Sequence, residues 1–141
     1  MTMPDKNHNL SVCMLASGSK GNAIFVSDGT TSILIDAGLS GIEIERRLKS
    51  KGLCPDDLDA ILVSHEHADH IHGVGVLSRR FDLPVFINER TSKAASLQTG
   101  NIQDIVNFES GISFLINTLT IHPFSISHAE ACRVAPPLKD F

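Results

Sequence analysis

Residues 60–70 read AILVSHEHADH, an apolar strand-type run that leads directly into a cluster of histidines and acids. Ligands of α/β sheets tend to bind where strands end, so the position of this cluster is informative. In an extended segment His65 and His67 point to the same side, because side chains alternate with a period of two. This pair can bind one metal ion, and Asp69 with His70 can reach a second. Imidazole and carboxylate ligands together suit zinc, manganese or iron(II).

The competing interpretation of the cluster is a solvent-exposed polar loop that is rich in histidine by coincidence. Histidine is an uncommon residue, and the spacing i, i+2, i+4, i+5 of His65, His67, Asp69 and His70 is that of a known type of metal site. The metal site is therefore favoured. His72 has no ligand spacing, and we expect it at the rim of the site or in solvent.

The rest of the chain predicts helices and strands in an order typical of a layered fold. Ser40 and Glu43 have the spacing of a helix capping box. Helices are predicted over 41–51, 74–81 and 91–98, and strands over 10–16, 23–27, 31–36, 58–63, 83–87, 105–108, 112–116 and 119–127. No regular element is predicted over 129–141. This order indicates an α/β (α+β layered) fold with helices packed on a mixed sheet.

Composition limits the class of protein. The 141 residues are enough for one domain with its own core, and 42% hydrophobic with 20% charged residues argues against disorder. A net charge of -4 argues against a broad electrostatic grip on nucleic acid. The polar first nine residues, and the lack of an apolar run of about twenty residues, predict a cytoplasmic protein that does not span a membrane. Cys13, Cys54 and Cys132 fit no disulfide or zinc-finger spacing, so we expect reduced thiols.

Two further features leave alternatives open. The loop SGSKGN, residues 17–22, offers hydroxyl groups and backbone amides freed by two glycines. It can hold a substrate phosphate in a backbone nest, with Ser17, Ser19 and Asn22 as its polar side chains, or it can be a plain tight turn between strands. His128 ends a predicted strand, and its spacing alone favours a tolerated polar residue over a metal ligand.

These residues together resemble a known family. The pattern His65-x-His67-x-Asp69-His70 after an apolar strand is similar to the metal-binding signature of the metallo-β-lactamase fold superfamily. Residues 16–22, 34–40, 64–73, 77–80 and 123–128 occur in the order and spacing of one group within it. That group is the small bacterial hydrolases often called YycJ or WalJ, likened to 5′ exonucleases and phosphodiesterases. The resemblance covers nearly all of residues 10–130.

The resemblance implies an architecture. The chain would be the N-terminal half of an αββα sandwich, with a mixed sheet that carries helices on one face. Residues 1–141 would form a single partial domain, with a divergent tail over 129–141.

The resemblance also implies roles for individual residues. His65, His67 and His128 would bind the first metal ion, and Asp69 and His70 the second. Asp36 would accept hydrogen bonds that support the metal-binding loop, without being a ligand. A hydroxide held between the ions would attack a phosphodiester, and Asp69 would orient it or take its proton. Zinc is the expected metal, with manganese or iron as alternatives, and nucleic acid is the expected substrate.

The sequence departs from the family after His128. Relatives use a bridging aspartate and a final histidine farther along, whereas residues 129–141 contain only Glu130 and Asp140 as acids and no histidine. We therefore expect weak binding of one metal ion, where intact relatives bind two, and little or no hydrolysis. An apolar sheet face without its covering layer is expected to make the chain marginally stable or self-associating.

Three functions stay open on the sequence. The first is a metal-dependent phosphodiester hydrolase of the 5′-exonuclease type. The second is a thioester or lactam hydrolase, because the same loop serves those chemistries within the superfamily. The third is a catalytically incompetent metal-binding half domain, so the sequence leaves open whether the chain is an active enzyme.

Overall fold

The computed structural model describes residues 9–18, 21–64, 68–92, 102, 104–126 and 129–136, and excludes the side chains of 68, 69, 126 and 129–131. Within these ranges the strands are β1 (Ser11–Ala16), β2 (Ala23–Ser27), β3 (Ser32–Ile35), β4 (Ala60–Val63), β5 (Val85–Asn88), β6 (Ile105–Phe108), β7 (Phe114–Ile116), β8 (Leu119–Ile126) and β9 (Ala129–Ala135). The helices are α1 (Gly41–Ser50), α2 (Ala68–Ile71) and α3 (Val74–Phe81), with a 3-10 turn at Pro55–Asp57.

The strands form two sheets. The larger sheet has the order β1-β2-β3-β4-β5-β6, and the smaller has the order β7-β8-β9. Strands β1, β2 and β3 pair antiparallel, whereas β3 to β6 pair parallel. The parallel pairs place the carboxyl ends of β3 and β4 at one edge of the sheet, where the histidine cluster follows β4. The prediction of a mixed sheet is confirmed.

The helices cover one face of the larger sheet. Alternation within each strand sends every second side chain to this face, so that Leu34 and Ile61 belong to one core while Ile33 and Leu62 belong to another. The helix-side core contains these buried side chains: Leu15, Phe25, Leu34, Ile44, Leu48, Ile61, Val63, Ile71, Val74, Leu77, Val85 and Ile87. The prediction that the helices pack on one face is confirmed.

The smaller sheet covers the opposite face. Ile33 and Leu62 are fully buried there against side chains of β7 and β8 such as Ile116 and Ile121. The expectation of an uncovered apolar face is therefore wrong for the centre of the sheet. Exposed apolar side chains on that face are found on the edge strand β1, where Val12 and Met14 are 64% and 57% exposed.

A second expectation is corrected after residue 128. No regular element was predicted over 129–141, but Ala129–Ala135 forms β9, which pairs antiparallel with β8 from Ile126↔Ala129 to Thr120↔Ala135. Cys132 and Val134 pack against the core between the sheets. The helix predicted over 91–98 lies mostly outside the described residues, with residues 89–92 helical.

A polar network joins the two sheets at the end of β2 and β3 away from the cluster. The Thr118 hydroxyl donates to Asp28 Oδ2 (2.5 Å) and lies 2.7 Å from the Thr31 hydroxyl. Asp28 Oδ1 accepts the backbone N–H groups of Thr30 and Thr31, which closes the predicted hairpin. Partial burial raises the pKa of Asp28, but these hydrogen bonds outweigh it and lower the pKa below its ordinary value.

Helix α1 is tied to the edge strand β1. The Arg47 guanidinium donates from Nη1 to the Leu15 carbonyl oxygen (2.8 Å) and from Nε to Glu43 (3.0 Å). Ser40 caps the helix by accepting from the Glu43 N–H (3.2 Å). The Glu43 carboxylate is instead paired with arginine. Of the predicted capping box, the structure therefore shows the hydrogen bond to the Ser40 side chain.

Two further observations bear on the class of protein. In the ranges given above, no helix is long and apolar enough to cross a membrane. Cys13, Cys54 and Cys132 all lie in these ranges and none of them forms a disulfide.

Candidate metal centre

Asp36 follows β3 at the edge of the sheet where β4 also ends. The parallel register pairs Ile35 with Leu62, and the Asp36 N–H donates to the Leu62 carbonyl oxygen (2.8 Å). The backbone of Asp36 then turns into the left-handed region, with φ of 63°. Aspartate tolerates this conformation better than most residues. The turn brings a buried carboxylate next to the segment that follows β4.

The Asp36 carboxylate accepts three hydrogen bonds. Oδ1 lies 2.7 Å from the Ser64 backbone nitrogen, and Oδ2 lies 2.5 Å from the Ser64 hydroxyl oxygen and 2.8 Å from His70 Nδ1. Only 8% of the Asp36 side chain and 18% of the His70 side chain are exposed. The carboxylate therefore links the end of β4 to helix α2 in a largely dry setting, where charge-assisted hydrogen bonds are strong.

The backbone around His70 is held by the segment that follows Asp36. The Ala37 N–H donates to the His70 carbonyl oxygen (2.7 Å), and the Gly73 N–H donates to the Ala37 carbonyl oxygen (2.7 Å). A side chain at Gly73 would meet the Leu39 carbonyl oxygen, so only glycine permits this approach. The backbone from His70 to Gly73 is thus held at both ends by Ala37.

These contacts assign the tautomer of His70. A carboxylate oxygen accepts and does not donate, so Nδ1 carries the proton shared with Asp36. In the neutral imidazole Nε2 then carries a lone pair, which is the form that binds metal ions. The Nε2 atom of His70 is therefore a suitable ligand atom for a divalent metal ion such as zinc.

Asn22, the last residue of the glycine loop, also contacts His70. Its Oδ1 accepts from the Gly18 N–H (3.2 Å), its Nδ2 donates to the Gly18 carbonyl oxygen (3.0 Å), and Nδ2 also lies 3.4 Å from His70 Nε2. Gly18 and Gly21 both have positive φ, and a side chain at Gly21 would press on Leu39. The tight turn therefore accounts for the two glycines without any ligand.

The remaining predicted site residues lie partly outside the described chain. His65, His67, His128 and Ser19 are not described, and Asp69 is described as part of the α2 backbone only. Ser17 is exposed after β1. Among the described residues, no group of three His, Cys, Asp or Glu could hold a metal ion. Most of the proposed ligand side chains are outside that set, so the full ligand set stays a prediction.

Three other histidine and cysteine residues lie outside the cluster, namely His72, His122 and Cys132. His72 is exposed, as predicted. His122 Nδ1 lies 2.6 Å from the Ser113 hydroxyl, so it has a partner that the sequence did not indicate. Cys132 packs against the core between the sheets, which agrees with a structural thiol.

Sequence reasoning assigned no role to Ser64. The position of Ser64 could have predicted its contact with Asp36, because β3 and β4 end together and the residue after β4 must lie beside the residue after β3. The contact between Asn22 and His70 had no such signal, since it depends on how the glycine loop folds back.

Comparison with protein families gives a match over residues 16–110 to the metallo-β-lactamase superfamily. The chain belongs to the metallo-β-lactamase superfamily. This confirms the resemblance inferred from the histidine cluster, and membership implies a divalent metal ion as cofactor.

Curated relatives narrow the resemblance within the superfamily. The chain is 41% identical over 119 residues to exodeoxyribonuclease WalJ of Streptococcus pneumoniae, covering 82% of this chain and 44% of that protein. It is 41% identical over 120 residues to exodeoxyribonuclease YycJ of Bacillus anthracis, covering 84% of this chain and 46% of that protein. The chain thus spans less than half the length of these relatives.

Solved structures support the fold. Rm3 metallo-β-lactamase has a TM-score of 0.67 at 22% identity, covering 80% of this chain and 48% of that one. A metallo-β-lactamase of Cronobacter sakazakii with a HARLDQ motif has a TM-score of 0.70 at 18% identity, covering 83% and 54%. The described fold therefore corresponds to about half of a metallo-β-lactamase fold, in agreement with the prediction from sequence.

Proposed function

We propose that the chain carries the metal-binding part of a metal-dependent phosphodiesterase that acts on DNA from a 5′ end. The observation that carries the proposal is the Asp36 carboxylate, which lies 2.8 Å from His70 Nδ1 and so leaves Nε2 as the ring nitrogen for metal binding. The relatives named exodeoxyribonuclease favour DNA as the substrate. The net charge of -4 favours local contacts with phosphate over a broad basic surface.

The ligand assignment follows the sequence pattern. His65, His67 and His128 are proposed for one metal ion and Asp69 with His70 for a second, with a single occupied site expected in this chain. Zinc is the proposed metal because nitrogen ligands predominate, with manganese or iron as alternatives. A bound metal ion would supply Lewis acidity toward a phosphoryl oxygen and activate the attacking water.

The residues of the chain itself have separable tasks in this proposal. Asp36 keeps the Nδ1 proton of His70 in place and holds the start of the histidine loop through Ser64. Asp69 is proposed to orient the attacking water or take its proton. Ser17, Ser19 and Asn22 are proposed to face the substrate phosphate. We also propose a cytoplasmic location, because cysteines outside disulfides suit a reducing compartment.

Zinc binding and hydrolysis test the proposal together. The purified chain is titrated with Zn²⁺ against a chromophoric chelator, and its turnover is measured on 5′-labelled single-stranded DNA. We expect weak Zn²⁺ binding and little or no metal-dependent cleavage, with Zn²⁺ binding lost in His67→Ala and weakened in His70→Ala. His72→Ala removes an exposed imidazole two residues away and serves as the matched control, with Zn²⁺ binding retained. Equal Zn²⁺ binding in His67→Ala and the wild type would contradict the proposal.

Competing substrates separate the proposed function from its alternatives. One relative, from Bdellovibrio bacteriovorus, is 39% identical over 71 residues and is named hydroxyacylglutathione hydrolase. A thioester, a β-lactam and a nitrophenyl phosphodiester are therefore assayed beside DNA. Turnover of the thioester or lactam without turnover of phosphodiesters would favour the second function. Zinc binding without turnover of any substrate would favour the metal-binding half domain.

A further inference from the structure

Ser64 and His70 flank residues 65–69, the segment that carries three of the proposed metal ligands. Both residues bind the same oxygen of Asp36, since Oδ2 lies 2.5 Å from Ser64 Oγ and 2.8 Å from His70 Nδ1. The Ser64 N–H donates to the other oxygen, Oδ1 (2.7 Å). One serine therefore binds both oxygens of the carboxylate, one through its backbone and one through its side chain.

The Ser64 hydroxyl restricts a motion that the Ser64 N–H leaves free. The Asp36 backbone is held by its own N–H, which donates to the Leu62 carbonyl oxygen (2.8 Å), so the remaining freedom is in the side chain. The torsion that turns an aspartate carboxylate is broad and is not fixed by staggering. A bond to Oδ1 alone lets Oδ2 swing about that bond, whereas a second bond to Oδ2 fixes the plane of the carboxylate. In this plane Oδ2 faces His70 Nδ1.

We propose that Ser64 is a positioning residue, whose hydroxyl fixes the Asp36 carboxylate and thereby the orientation of the His70 ring. The inference rests on the proposed function, because it takes His70 as a metal ligand. Only 8% of the Asp36 side chain is exposed, so water has little access to replace the hydroxyl once it is removed. The orientation of a metal-binding imidazole thus depends on a side chain that is not itself a ligand.

The test compares three variants of Ser64. Ser64→Ala deletes the hydroxyl and keeps the bond to Oδ1, Ser64→Cys replaces the hydroxyl by a weak donor, and Ser64→Thr keeps it. Chelator competition measures the Zn²⁺ affinity, and NMR of the ¹⁵N-labelled chain follows exchange of the His70 Nδ1 proton with water. In Ser64→Ala and Ser64→Cys we expect a Zn²⁺ affinity weakened by about tenfold and faster proton exchange, with wild-type values in Ser64→Thr.

The matched control is Ser32→Ala. It removes a serine hydroxyl that lies 3.0 Å from Ser27 Oγ at the opposite end of β3, so both readouts should stay at their wild-type values. Ser64→Cys carries the comparison if Ser64→Ala does not fold.

The readouts distinguish the two ways of failing. A Zn²⁺ affinity that is unchanged in His67→Ala overturns the proposed function together with this inference. An affinity lost in His67→Ala but kept in Ser64→Ala and Ser64→Cys overturns this inference and leaves the metal site standing. A weakened affinity without faster exchange of the His70 Nδ1 proton also overturns it, because the hydroxyl then does not act through Asp36. So does a Ser64→Thr variant as weak as Ser64→Ala, because the retained hydroxyl then has no effect.

Discussion

Replacement of Asp36 by asparagine tests the support of His70 with the smallest change of shape. Asparagine keeps the volume of the side chain and tolerates the left-handed backbone, so no new strain at the φ of 63° is expected. Its oxygen can still accept the Ser64 N–H. Its NH₂ group then faces His70 Nδ1, which must give up its proton or lose its partner. The variant therefore favours the tautomer with the proton on Nε2.

The size of the effect follows from the bonds that are lost. A hydrogen bond to a charged group contributes about 1.5–3 kcal/mol, so the free energy of unfolding of Asp36→Asn should fall by about 2–3 kcal/mol. Supporting residues behind metal ligands typically change metal affinity by about 10–100-fold, and we expect a Zn²⁺ affinity weakened by that factor. Denaturant titration measures the first quantity and chelator competition the second.

The matched control is Asp59→Asn. Asp59 precedes β4 and accepts the Ser32 N–H (2.8 Å) at the opposite end of the same strand pair. The Asp59→Asn substitution removes the same charge and destabilises the chain without contacting His70. The Zn²⁺ affinity of this variant should therefore stay at the wild-type value. A Zn²⁺ affinity of Asp36→Asn within about twofold of the Asp59→Asn value would refute the reasoning.

Three further predictions concern stability. Thr118→Val should cost about 1–2 kcal/mol at neutral pH. Because the folded pKa of Asp28 is lowered, the stability from this network is present above an unfolded pKa of about 3.9 and is lost as the pH falls through the folded value. The difference between Thr118→Val and the wild type should therefore shrink in acid denaturant titrations. Gly73→Ala should lower the melting temperature strongly, because the new methyl group meets backbone that cannot rotate away. Arg80→Ala should cost about 1 kcal/mol in urea unfolding, because it removes the arginine whose Nε lies 3.1 Å from the buried Glu45 Oε2, an ion pair that solvent screens since the arginine is 58% exposed.

Each of these has a milder counterpart in the chain. Thr30→Val alters an exposed threonine of the same hairpin and should be nearly neutral at every pH. Gly41→Ala meets the Val76 side chain, which can rotate, so a loss as large as that of Gly73→Ala would count against the steric argument. Arg46→Ala removes an arginine that is 69% exposed and pairs at the surface, and should cost less than Arg80→Ala.

Local patterns in the sequence predicted the elements whose stability is local. Helix α3 has the predicted bounds, and β6 does as well, because turn residues and apolar runs mark their ends. Strand β9 was missed, because Ala-Glu-Ala-Cys-Arg-Val-Ala over 129–135 is a weak strand pattern and its partner β8 stabilises it. The packing of β7, β8 and β9 over the larger sheet was also missed, because periodicity does not show which sheet a strand joins.

The site divides in a similar way. The Asp36 to Ser64 contact follows from the parallel register of β3 and β4, so it was accessible to sequence reasoning. The Asn22 to His70 contact joins residues 48 positions apart through a loop whose path the residues alone leave open. The roles of His65, His67, Asp69 and His128 as ligands stay predictions that metal binding must test.

The bond from Arg47 to the Leu15 carbonyl oxygen has a consequence for behaviour in concentrated solution. Strand β1 is the edge of the larger sheet, and an edge strand presents unpaired backbone groups to strands of other molecules. The Arg47 guanidinium places a positive charge beside this strand, close in sequence to the exposed Val12 and Met14. Charged side chains at an edge strand disfavour pairing with a strand of another molecule, so Arg47 adds this effect to its link between helix and sheet.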